Sequence, residues 1–66
     1  KEDFIMPIVQ VELLKGRTVE QKRAMIEKVT AAICETTNCP AEAVSIIIRE
    51  MEKENYAHAG VLQCDK

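Results

Sequence analysis

Three cysteines and the one histidine of this 66-residue sequence could hold a metal: Cys34, Cys39, His58 and Cys64. Four residues lie between the first two and five between the last two, which loosely imitates a Cys3His zinc site. The spacing is too irregular to specify one, so no metal is expected. Cys34 also borders a run of apolar helical positions, where a free thiol behaves as a small hydrophobe. His58 is the sole histidine, and no Ser or Cys stands at a spacing that suggests a nucleophilic pair with it. It reads as a solvated side chain. Glu50, Glu52 and Glu54 offer acid–base chemistry in principle, but they read as solvated carboxylates at a strand end.

Composition excludes several function classes. Nine Lys and Arg against eleven Asp and Glu give a net charge of −2 with no basic block, unlike a nucleic-acid surface. The longest apolar run, Val44 to Ile48, is broken by Ser45 and is far too short for a bilayer span. Lys1 to Met6 lacks the long apolar stretch of a signal peptide. Three cysteines at irregular spacing suit free thiols in a reducing compartment, and the expected location is the cytoplasm. A chain this short hides only about 60% of its unfolded surface when it folds alone, so a single domain that needs help is expected. With disulfides and zinc disfavoured, the expected helper is another copy of the chain.

The elements that must position these residues follow from periodicity. Ile8–Leu14 alternates as a strand, with Val9, Val11 and Leu13 on one face and Ile8, Gln10 and Glu12 on the other. Lys15-Gly16 breaks it. Thr18 and Gln21 have the spacing of a capping box, which starts a helix carrying Met25, Ile26, Val29, Ala32 and Ile33 on one side. Glu20, Lys22, Arg23, Glu27 and Lys28 occupy the rest. Asn38 and Pro40 end the helix, and a short helical turn over Ala41 to Ala43 leads into a second strand, Val44 to Met51. Ile46, Ile47 and Ile48 are consecutive, so that strand is apolar on both faces. A right-handed crossover makes the two strands parallel. One helix covers one face, and a second chain is expected on the other. The tail turns near Gly60 and sets up a terminal hairpin through Val61-Leu62.

A longer ordered pattern runs through these elements. Met6-Pro7-Ile8-Val9-Gln10, Leu14-Lys15-Gly16-Arg17-Thr18, Glu20-Gln21-Lys22, Ile26-Glu27-Lys28-Val29-Thr30, Ile48-Arg49-Glu50-Met51 and Asn55-Tyr56-Ala57 to Gly60 together resemble the 4-oxalocrotonate tautomerase family. The resemblance covers the chain from Pro7 onward. It implies an α/β (α+β) fold, a β-α-β protomer with a C-terminal hairpin, pairing into four-stranded dimers and a homohexamer of three dimers. It also implies a cofactor-independent keto–enol tautomerase, an isomerase acting on small carboxylate-bearing enols or 2-oxo acids such as 2-hydroxymuconate. Pro7, once N-terminal, would be a secondary amine whose apolar surroundings disfavour its charged form, which suits a general base near neutral pH. Arg17 would hold a substrate carboxylate or a developing oxyanion, from a neighbouring subunit. Tyr56 takes the position of an aromatic that walls the pocket.

Two departures bear on that expectation. Well-studied members carry a second catalytic arginine where this chain has Ser45, which supplies no fixed charge. A lost charge-assisted hydrogen bond costs about 1.5–3 kcal/mol, and Arg49 lies roughly 13 Å along the strand, too far to substitute. Residues 1–6, with Met6 as a candidate initiator, read as a leader in front of a single domain over 7–66. While they remain attached, the Pro7 nitrogen is an amide. Two alternatives therefore stand beside the tautomerase: an inactive oligomeric interaction module with a blocked proline, and a related hydratase or dehalogenase using protonated Pro7 as an acid.

Overall fold

Strand β1 (Ile8–Leu14) and strand β2 (Ser45–Met51) pair in parallel, and between them the chain crosses over through helix α1 (Val19–Thr37). This computed structural model describes residues 6–66; apart from Met6, the leader expected over residues 1–6 lies outside them. The register sets Ile8 against Ser45 and Leu14 against Met51, so seven residues pair over the full length of both strands. Val9, Val11 and Leu13, with Ile46 and Ile48, form the half-buried face under α1, as the alternation predicts.

Helix α1 starts and stops where its end signals stand. The Gln21 backbone N–H donates to Thr18 Oγ1 at 3.1 Å, and the Thr18 N–H donates to Gln21 Oε1 at 2.9 Å. Two of the otherwise unpaired first-turn donors are thereby satisfied. Thr18→Ala is expected to cost about 1 kcal/mol, read as a lower thermal midpoint at matched protein concentration. At the other end Asn38 takes a left-handed conformation (φ 62°, ψ 44°) and its N–H donates to Cys34 O at 3.0 Å.

The covered stripe of α1 differs from the expected one. Ala32 is exposed, at the margin of the stripe, and Lys22 and Thr30 are half-buried with Met25, Ile26, Val29 and Ile33. Lys22 stands three, four and seven residues before Met25, Ile26 and Val29, the spacing of one helix face. Its side chain is only 25% exposed while the ammonium reaches Glu50. Glu50, Glu52 and Glu54 are exposed at the strand end as expected, and the first two each pair with a lysine.

A 3-10 turn over Ala41–Ala43 precedes β2, which begins at Ser45 and not at Val44 because the Val44 N–H closes that turn onto Ala41 O. Past a second 3-10 turn (Lys53–Asn55), strands β3 (Ala57–His58) and β4 (Val61–Leu62) form the terminal hairpin. Ala59 and Gly60 both have positive φ (55° and 80°), the handedness that matches a two-residue hairpin loop to strand twist.

Among the described residues the only apolar side chain in the buried class is Cys39. The second sheet face carries Ile8 and Ile47, 66% and 42% exposed, and the hairpin presents Val61 and Leu62 to solvent. A β-α-β unit with one helix has no layer left to cover that face, as the run Ile46 to Ile48 implies.

Candidate active site

Pro7 immediately precedes β1. Its carbonyl accepts the Ser45 N–H at 3.0 Å, which fixes Pro7 and Ser45 side by side at the N-terminal end of both parallel strands. Pro7 is half-buried, while Ser45 is exposed.

Arg17 and Tyr56 stand at the other end. Lys15-Gly16-Arg17 turns the chain from β1 into α1, and Gly16 adopts φ 135°, which side chains rarely tolerate. The Lys15 N–H donates to Met51 O at 2.8 Å and ties this turn to the end of β2. Arg17 lines a recess of about 140 Å³ with Leu13, Gln21, Lys22 and Met25 on the helix-covered face. Tyr56 borders an open cleft of about 510 Å³ on the bare face, with Glu12, Leu14, Met51 and Asn55. Seven residue steps separate Pro7 from Leu14, roughly 23 Å at ~3.3 Å per residue. One chain thus brings Pro7 to Ser45 and keeps Arg17 and Tyr56 at the far end of the sheet.

Ion pairs gather at that far end. Lys22 Nζ lies 2.8 Å from Glu50 Oε2, and Lys15 Nζ lies 3.1 Å from Glu52 Oε2. Neither lysine carries a motif that announces its partner; the helical spacing of Lys22 within the apolar stripe is the one local sign of its placement. Arg49 faces Glu12 across the strands on the bare face, well along from Ser45.

The thiols occupy another region. Cys34 and Cys39 meet at the end of α1, where burial pushes the Cys34 thiol up and the neighbouring Cys39 adds to the shift. Cys34 therefore rests as a thiol. Cys64 and His58 belong to the C-terminal segment, and among the described residues no group of three or more His, Cys, Asp or Glu is placed to hold a metal ion. No helix among the described residues is long and apolar enough to cross a membrane.

Similarity to known proteins follows the same span of chain. The family profile described as tautomerase enzyme matches residues 7–65. A 2-hydroxymuconate tautomerase of Bacillus subtilis is 53% identical over 55 residues, covering 83% of this chain and 89% of that protein. The crystal structure of a homologue of 4-oxalocrotonate tautomerase superposes with a TM-score of 0.88 at 48% identity, covering 91% of this chain and 98% of that one. A heterohexamer 4-oxalocrotonate tautomerase from Chloroflexus aurantiacus is more distant, with a TM-score of 0.86 at 25% identity over 91% of this chain and 97% of that one.

Proposed function

Since this chain belongs to the tautomerase family, we propose that it is a cofactor-independent isomerase that ketonises 2-hydroxymuconate or a similar enol of a 2-oxo acid, with Pro7 as the base. The observation that carries this reading is the position of Pro7, at the head of β1 beside Ser45, where removal of residues 1–6 leaves its nitrogen a secondary amine. The free amine takes the enol proton as the electron pair shifts through the conjugated system. The resulting ammonium returns a proton to a substrate carbon, so one proton changes place and nothing is oxidised or reduced. Arg17 binds a carboxylate or the developing oxyanion through its guanidinium fork. The Ser45 hydroxyl contributes an uncharged hydrogen bond, and Tyr56 walls the cleft against water.

These groups form one site only across chains, because Arg17 and Tyr56 stand a strand's length from their own Pro7. Self-association into four-stranded dimers and a homohexamer provides the neighbours. The bare face with Ile8 and Ile47 supports that assembly, as does the hexameric state of the Chloroflexus relative. Ile47→Asp is expected to shift the mass in solution to smaller species, because an uncompensated charge in an interface costs several kcal/mol; sedimentation velocity reads the shift. Three free thiols support a cytoplasmic location.

The decisive measurement is the ketonisation of 2-hydroxymuconate by protein shown by intact mass to begin at Pro7. Loss of most activity in Pro7→Ala is the expected result, and unchanged activity would overturn the mechanism. Protein in which residues 1–6 stay attached conforms to the second reading, an inert oligomeric module, because Met6 then holds the Pro7 nitrogen in an amide.

A further inference from the structure

The turn that carries Arg17 is fastened on both flanks to acids at the end of β2. Lys15 pairs with Glu52 on one side and Lys22 with Glu50 on the other. The two pairs differ in surroundings. Lys15 and Glu52 are mostly exposed, whereas the Lys22 and Glu50 side chains are 25% and 31% exposed, so solvent ions screen the second pair much less. Lys22 lines the same recess as Arg17 and Leu13. Glu50 is the register partner of Leu13, which lines that recess, and its carboxylate is held at 2.8 Å by the Lys22 that lines it too. No carboxylate of the described residues pairs with Arg17.

We propose that Lys22 and Glu50 are positioning residues for Arg17: by holding the Glu50 carboxylate, Lys22 keeps the Arg17 guanidinium open to a substrate carboxylate. The proposal rests on the reading of Arg17 as the substrate-binding cation. A guanidinium prefers a carboxylate in bidentate geometry, and it does not distinguish one on a substrate from one on its own chain. A released Glu50 is therefore an internal competitor for the substrate anion. Tethered groups act at effective concentrations of about millimolar, at or above the usual ~1 μM–1 mM range of KM. Capture of Arg17 by Glu50 raises KM and leaves kcat nearly unchanged, because substrate that has displaced the carboxylate meets an intact site.

The test is steady-state kinetics with 2-hydroxymuconate on protein beginning at Pro7. Lys22→Met is expected to raise KM about tenfold with kcat within about twofold, and adding Glu50→Gln is expected to return KM to within about threefold of the parent. In an Arg17→Ala background, Lys22→Met is expected to leave KM unmoved. Lys22→Gln, which keeps a polar side chain, replaces Lys22→Met if the latter fails to give a native circular dichroism spectrum. A rise in KM that persists without Arg17 is a general charge effect and overturns the proposal. An unmoved KM in Lys22→Met, together with a raised KM in Arg17→Ala, also overturns it while leaving the role of Arg17 standing. An Arg17→Ala variant with the parent's KM refutes the role of Arg17 itself.

Discussion

Protein that retains residues 1–6 is expected to ketonise 2-hydroxymuconate about 10²–10⁴-fold more slowly than protein whose first residue is Pro7, the contribution typical of a positioned general base. The reason is local to one atom. In the Met6–Pro7 peptide bond the nitrogen lone pair is delocalised into the Met6 carbonyl, which leaves no basic site. The Pro7 carbonyl, not its nitrogen, accepts the Ser45 N–H, and the β1–β2 register begins at Ile8, so the pairing of the strands does not need a free Pro7 nitrogen. The loss therefore falls on kcat, with the same oligomeric mass and a similar thermal midpoint for both forms. The pH profile separates them further. A free amine works as a base only when unprotonated, so the form beginning at Pro7 loses activity as acidification charges it, whereas the leader-bearing form lacks that limb. Equal turnover by a sample whose mass shows Lys1 in place would put the base somewhere other than Pro7.

The second large effect concerns Arg17. Arg17→Ala should lower kcat/KM by about 10- to 10²-fold, the value of one charge-assisted hydrogen bond of ~1.5–3 kcal/mol. The distance between Pro7 and Arg17 within one chain allows a more searching result. Chains with Arg17→Ala retain a usable Pro7, and chains that keep residues 1–6 retain a usable Arg17. Neither forms a complete site with copies of itself. Equal amounts of the two, unfolded and reassembled together, are expected to recover about a quarter of the parent activity, because random assembly of a symmetric oligomer pairs an intact Pro7 with an intact Arg17 in that share of sites. If both residues of a site came from the same chain, the mixture would be as inactive as its parts. Activity measured against mixing ratio, with a maximum near equal amounts, is the readout.

Much of the scaffold is written in short-range chemistry. Thr18 and Gln21 mark the helix start because their reciprocal bonds span only three positions, and Asn38 marks its end because a left-handed cap is a property of one residue. Alternation from Ile8 to Leu14 places Val9, Val11 and Leu13 under the helix, and the consecutive isoleucines of β2 disclose a second apolar face. Pro7, Arg17 and Tyr56 came to notice through a family resemblance that spans the chain, not through any spacing of their own. A charged residue at the position of Lys22 is usually solvated, and its type gives no sign of a partner. Its ammonium instead reaches a carboxylate 28 positions later.

The order of the elements, both ends of the helix, the parallel crossover and the incomplete burial of so short a chain are legible in the sequence. Each of these depends on hydrogen bonds and apolar periodicity within a few residues, or on surface set by length. Which groups meet is a matter of the folded chain: Ser45 beside Pro7, Glu50 with Lys22, and Arg17 a full strand away from the proline of its own chain. Those meetings depend on the register of β1 against β2 and on the rotation of α1 over them, which distant backbone pairing and packing impose together.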